Sequence, residues 1–286
     1  MIFPDSFNID IYKNKNIDLH NMDKLQLIDH YNKYGIKEGR KSCEITNRNN
    51  LISYIPDDQK CLEIGPFDCP VLSGKNVKYF DILSQDKLKE RAIKINRINN
   101  INSIPYIDYI SSTGDLSIIN ETFDVILSCH SIEHQLDLIK HLNDVSKILN
   151  LGGHYVIILP DKRYCFDHFI KETTIADIIN MHKNNNNKHS IKSVIEHRVL
   201  TCHNDTIRHW NNDHGIENVD FNSLLDSIKE YEEESYIDVH SMQFTPKSFE
   251  NIINILNSTK YINLQIDKVY NTLKNSNEFF VVLKKN

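Results

Sequence analysis

From about residue 58 the chain alternates short apolar runs with amphipathic stretches. Five runs read as buried strands: KCLEIG at 60–65, VKYFDI at 77–82, PYIDYI at 105–110, FDVILSC at 123–129 and HYVIILP at 154–160. Between the last two, Leu136, Ile139, Leu142, Val145 and Leu149 recur at helical spacing, and Gly152 supplies a stop. Strand, helix and strand in that order predict a parallel sheet covered on both faces. The rhythm breaks over 161–244, a polar stretch crowded with His, Asn and aromatic residues. It returns at Thr245, an N-cap followed by Pro246 at the first helical position, and two closing strands are predicted in 261–270 and 278–285. The class is α/β: a five-strand wound sheet, an insertion, then a helix and two last strands.

The first 45 residues read separately. Leu25, Leu27, Ile28 and Tyr31 are spaced to share one helical side, with Gly35 as the stop, so a small helical appendage is expected. EITNRNN, 44–50, reads as a linker. The expected organisation is thus an appendage over 1–45 and a main domain over 46–286, carrying an irregular insertion at 161–244.

A chain of 286 residues, 40% hydrophobic and 25% charged, affords a real core as one large domain with an appendage or as two small domains. A net charge of -6 and a pI near 6.1 argue against bulk nucleic-acid binding, which needs a basic face. No apolar run approaches a membrane span, and the opening MIFPDSFNIDIYKNKN lacks the order of a secretory signal, so a cytoplasmic protein is expected. The six cysteines form no C-x-x-C pair and read as reduced thiols; KNNNNK at 183–188 reads as a solvated loop.

Chemistry gathers at the ends of the predicted strands. The run Glu63-Ile64-Gly65, turning at Pro66, places a residue without a side chain where a ligand can lie against the main chain. The G-x-G-x-x-G fingerprint is absent, which disfavours NAD and FAD. Asp81 ends the second strand, where a carboxylate can accept hydrogen bonds from both hydroxyls of a ribose. After the fourth strand, His130, Glu133 and His134 spell H-x-x-E-H, a pattern of zinc hydrolases. A zinc pair of this kind needs both histidines one turn apart on one helical face, whereas the strand running up to His130 places that residue in a loop. No metal is therefore assigned.

The segments LEIGPFDCP, YFDI, GDLSIINETFDVILSCHSIEH and ILNLGGHYVIILPD resemble the class I S-adenosylmethionine (SAM) dependent methyltransferases over roughly residues 58–161. The first segment departs from the family's E-x-G-x-G-x-G, with Phe67 and Cys69 near the later glycines. The resemblance implies a Rossmann-like, seven-stranded, mostly parallel sheet with helices on both faces, and SAM as cofactor. It further implies that Glu63, Gly65 and Pro66 line the methionine end of SAM and that Asp81 with Ile82 holds the ribose. Asp115 with Leu116 would approach the adenine, and Cys129 and His130 would border the sulfonium.

The insertion opens with PDKRYCFD and closes with HSMQFTPKSF, which resemble a methyltransferase subgroup associated with surface-glycan biosynthesis. The appendage, with HYNKYGIKEGR, is similar to a short module found near glycosyltransferases. A sugar or glycan acceptor is expected. Tyr164 and Trp210 would stack on sugar faces, while Asp161, Arg163, Asp167 and Asp213 would bond hydroxyls. His134 would contact the acceptor; among His168, His203, His209, His214 and His240, the base is assigned to His214, which follows Asp213, or to His240, just before the returning helix. The others count as acceptor contacts or bystanders. Competing readings are a methyltransferase for another small molecule, a zinc hydrolase using His130, Glu133 and His134, and a non-catalytic glycan-binding module. A homo-oligomer is compatible with the chain.

Overall fold

The computed structural model describes residues 1–217, 219–234 and 236–286. Among them the sheet has seven strands: β1 (Cys61–Ile64), β2 (Val77–Asp81), β3 (Tyr109–Ile110), β4 (Phe123–Cys129), β5 (Leu149–Pro160), β6 (Leu264–Tyr270) and β7 (Glu278–Lys285). Their order is β3-β2-β1-β4-β5-β7-β6. The first five pair in parallel, and β7 runs antiparallel to both neighbours. The chain winds outward through β2 and β3, then crosses back to β4 beside β1. This reversal is the topological switch at which wound α/β sheets open a ligand crevice, at the carboxyl ends of the strands. The Rossmann-like architecture expected from the sequence is present.

Period-two alternation builds the two core layers. Ile126, Tyr155, Ile157, Leu159, Phe279, Val281 and Leu283 face one side, against α5 (Leu138–Ile148) and α10 (Pro246–Ser258). Val125, Leu127, Val156, Ile158, Phe280 and Val282 face the other, where Phe3, Cys43, Ile45 and Leu51 cover them. Asp137 caps α5 through the Lys140 N–H at 2.9 Å. Thr245 caps α10 with Pro246 at its start, as the sequence predicts.

Several boundaries move. β3 shrinks to two residues. Gly152 does not end a helix: α5 stops at Ile148 and the chain passes directly into β5, where Phe123 pairs with Leu149 and Val125 with His154. The extra residues loop out of the ladder, and Gly152, at φ +75, supplies the left-handed turn this needs.

The appendage contains α1 (Ile9–Lys15) and α2 (Lys24–His30), and α2 runs into a wider turn over Tyr31–Gly35. Leu27 and Tyr31 are buried, but Leu25 and Ile28 are exposed, because α2 makes only two turns and its inward stripe is narrow. Residues 44–50 are no free tether: Ile45 is buried and Asn47 caps α3 (Arg48–Ile52). After β2 comes α4 (Gln85–Lys94). The 161–244 segment is not irregular. It folds into α6 (Ile175–Asn184), α7 (Ile191–Val199), α8 (Thr206–Trp210) and α9 (Phe221–Glu233), each with a capping side chain. Short caps such as Asp205 and Asp220 are hard to separate from ordinary loop polarity in a sequence this rich in Asn and Asp.

Candidate active site

The turn after β1 is shaped by Glu63. Its buried carboxylate accepts N–H bonds from Val71 at 2.8 and 3.1 Å and from Leu72 at 2.8 Å, which pins the turn back on the strand that starts it. Burial pushes Glu63 up to about pKa 7, against those same bonds. Gly65 adopts φ +71 and donates its N–H to Phe80 O at 2.9 Å. A Cβ at Gly65 would meet Ser131 Oγ at 3.3 Å, so bare backbone faces the turn that follows β4. Pro66 is buried, and Phe67 is left-handed at φ +39.

Asp81 closes β2 directly beside this turn. It is buried and accepts from Leu83 N–H at 3.2 Å, and the backbones of Ile82 and Phe67 are turned toward it. Burial raises it to about pKa 6, which leaves a carboxylate at neutral pH. Asp115 is half-exposed and serves its own turn, accepting from Ser117 N and Oγ at 3.0 and 2.9 Å and from Lys140 at 3.3 Å; Leu116 beside it is buried. Those Ser117 bonds hold Asp115 below the usual carboxylate range. Cavities of about 10 Å³ beside Gly39 and about 320 Å³ beside Lys147 touch neither Gly65 nor Asp81.

Past β4 the H-x-x-E-H stretch divides. Burial drives the Cys129 thiol far above its ordinary value, which removes thiolate chemistry. His130 is left-handed at φ +49, and its Nε2 lies 2.7 Å from Glu278 Oε1. Arg48 grips the same carboxylate, so His130 belongs to a network rooted on β7 and α3. Ile132–His134 is a single 3-10 turn, not a helix that could align two histidines. His130 Nδ1 still lies 3.7 Å from Glu133 Oε1, but His130, Glu133 and His134 do not gather as one ligand set, so the hydrolase pattern is not assembled as written.

Glu133 and His134 converge instead with His240, which the insertion brings back. The Glu133 carbonyl accepts from Ser241 N at 2.8 Å and Met242 N at 3.2 Å, fixing the returning strand of chain. His240 is buried, its Nδ1 lying 2.6 Å from Asp167 Oδ2, with Asp167 also buried. His240 Nε2 is 3.8 Å from Glu133 Oε1, and the His134 and His240 rings meet edge to face at 4.6 Å. His134 Nδ1 lies 2.8 Å from Asp238 Oδ1, off the line of a straight hydrogen bond, and Arg91 of α4 pairs with the same carboxylate. Burial lowers the His134 pKa, but Asp238 and Glu133 outweigh it and the net shift is upward.

The other expected contacts fare differently. Asp213 turns to Arg208 at 2.7 Å, so it does not orient His214. His214 stacks on His168 at 3.6 Å and places its Nδ1 3.0 Å from His209 Nδ1, forming a separate cluster near the surface. The expected pairing of Asp213 with His214 is therefore not formed, and among the described residues the His214 ring nitrogens meet His209 and Asn212. Tyr164 and Trp210 stack on each other at 3.9 Å and 7°, and Trp210 donates to Ser276 O, so one face of each ring is already covered. Asp161 is fully buried and taken by Arg163 and by Thr272 Oγ1 at 2.6 Å, so Asp161 braces the loop and is not free for an acceptor. Residues not foreseen are Ser131, Arg91 and Asp238. Two of the three converging side chains lay inside H-x-x-E-H, but the third is so distant in sequence that no spacing rule joins it.

No family model matches the chain, and no curated protein matches it. Among solved structures its backbone is similar to the CcbJ methyltransferase from Streptomyces caelestis, at 11% identity and TM-score 0.43, over 84% of this chain and 94% of that one. It is also similar to an S-adenosylmethionine-dependent methyltransferase from Clostridium acetobutylicum ATCC 824, at 12% identity and TM-score 0.44, over 92% and 98%. A third is the magnesium protoporphyrin IX methyltransferase from Synechocystis PCC 6803 with bound SAH, at 8% identity and TM-score 0.39, over 92% and 100%. Likeness at this level describes the course of the backbone, and no residue role follows from it.

Proposed function

We propose that this protein is a SAM-dependent methyltransferase acting on a hydroxyl of a sugar or glycan. The observation that carries the reading is the buried Asp81 carboxylate at the end of β2, set beside the bare backbone of Gly65 at the sheet's switch point. This pair fits a nucleoside: two hydroxyl donors need an ionised acceptor, and a thin ligand edge needs a place without a side chain.

When bound, SAM supplies a methyl group already activated on a sulfonium. The chain's own work is then to bind, align and accept a proton. Asp81 with Ile82 holds the ribose, Glu63 keeps the turn at Gly65 and Pro66 in shape, and Asp115 with Leu116 borders the base. Cys129 and His130 close the side nearest β4. The acceptor hydroxyl must shed its proton as the new bond forms, and the cluster of Glu133, His134 and His240 is where it is accepted. Asp167 fixes the tautomer of His240. Sugar is favoured as acceptor by the polar insertion, where His168, Tyr164 and Trp210 are partly exposed and Asp213 is exposed.

Calorimetry with S-adenosylhomocysteine (SAH) tests the first half: folded protein that takes up none defeats the reading. Transfer of a labelled methyl group to methyl glycosides of common hexoses tests the second, and transfer only to non-carbohydrate hydroxyls would keep the enzyme class and discard the sugar.

A further inference from the structure

We infer that Glu133, His134 and His240 form a binding site for one divalent transition-metal ion. Glu133 is 1% exposed, and both its carboxylate oxygens lack a hydrogen-bond partner among the described residues. A carboxylate buried in that way is costly to keep unless a cation or a proton neutralises it. Glu63, equally buried, is satisfied by backbone N–H groups, so the fold has the means to partner such a group and does not do so here.

The neighbours of Glu133 are imidazoles. One ligand atom from each of Glu133, His134 and His240 lies within 4.8 Å of the other two. Ligands around a tetrahedral zinc ion stand roughly 3.3 Å apart, given metal–nitrogen bonds of ~2.0 Å, so a small inward turn of the side chains completes the set. Asp167 holds His240 at Nδ1, which leaves its Nε2 facing Glu133 Oε1 at 3.8 Å, and Asp238 lies at His134 Nδ1. A carboxylate behind each ligating histidine is the usual outer layer of a metal site. Two imidazoles and one carboxylate select a zinc-like ion over magnesium or calcium, which prefer oxygen alone, and three protein ligands leave a position open.

The site differs from the sequence pattern: His240 takes the place of His130. Ion binding stands independently of the methyltransferase reading, and only the ion's use rests on it: with its ligand atoms engaged the cluster would no longer accept the proton itself, and the ion would polarise the acceptor hydroxyl instead.

The test is a titration of chelator-stripped full-length protein with cobalt(II), followed by visible absorption and then zinc competition. Expected are saturating d–d bands at one ion per chain, bleached by zinc. Affinity should fall at least about 100-fold in Glu133→Gln and about 10–100-fold in Asp167→Asn, with His214→Ala unchanged. His134→Asn, at a partly exposed position, replaces Glu133→Gln if thermal melting shows that variant unfolded. Wild-type protein with no bands at millimolar cobalt, a Glu133→Gln protein that binds like wild type, or bands lost in His214→Ala overturn the inference. SAH calorimetry on the same samples reads the methyltransferase reading separately.

Discussion

Two regions of the sheet's upper rim bury carboxylates in opposite ways. On the β1–β2 side, Glu63 accepts from the backbone N–H groups of Val71 and Leu72 and acts on the shape of the chain. Beyond β4, Glu133 has histidines around it and, among the described residues, no donor of its own. A satisfied buried acid is part of the scaffold, whereas an unsatisfied one is held ready for something that arrives. The difference separates groups whose loss should unsettle the fold from groups whose loss should cost only chemistry.

The largest expected effect falls on the histidines. His240→Asn should lower methyl transfer by about 10²–10⁴-fold with little change in SAH affinity, while His214→Ala changes turnover less than about threefold. Equal losses in the two variants would erase the contrast. Next comes the scaffold: Glu63→Ala strands the N–H groups of Val71 and Leu72 and should lower stability by about 2–4 kcal/mol in urea denaturation. Glu133→Gln, with no such donors to strand, should stay within about 1 kcal/mol of wild type in metal-free buffer.

Ligand binding at Asp81 sharpens the same division. Asp81→Asn should weaken SAH binding by roughly 10–100-fold, the worth of a charge-assisted hydrogen bond or two, and barely move the unfolding midpoint. The wild-type pH profile is the smallest effect. Burial places Asp81 at about pKa 6, so the carboxylate is present above that value and is lost as pH falls through it. Ligand hydroxyls favour the ionised form. SAH affinity should therefore decline from pH 7.5 to 5, by at most about tenfold per unit below 6, and Asp81→Asn should flatten the curve. A decline that persists in the variant would assign the titration elsewhere.

The sheet was legible because its strands are buried on both faces and its α5 stripe is regular. Thr245 and Pro246 could be read as a helix start because both act locally. Gly152 misled for the opposite reason: a left-handed glycine serves a strand bulge as readily as a helix end, and only the pairing of Phe123 with Leu149 tells them apart. At the site, Asp81 and Gly65 are strand-end residues and could be placed from the strand pattern. The His240–Asp167 pair could not, since it depends on how the insertion's helices return the chain. Neighbours in sequence, such as Asp213 and His214, proved a poor guide to which carboxylate serves which ring.

Phe3 packs in one cluster with Val156, Tyr270, Phe280 and Val282. That phenylalanine and its partners Phe280 and Val282 lie at widely separated positions of the chain. The Phe3 segment therefore stays unseated until both partners have been synthesised, and the sheet face it covers stays greasy until then. Seating of this segment should accordingly be a slow step and prone to capture by chaperones during that interval.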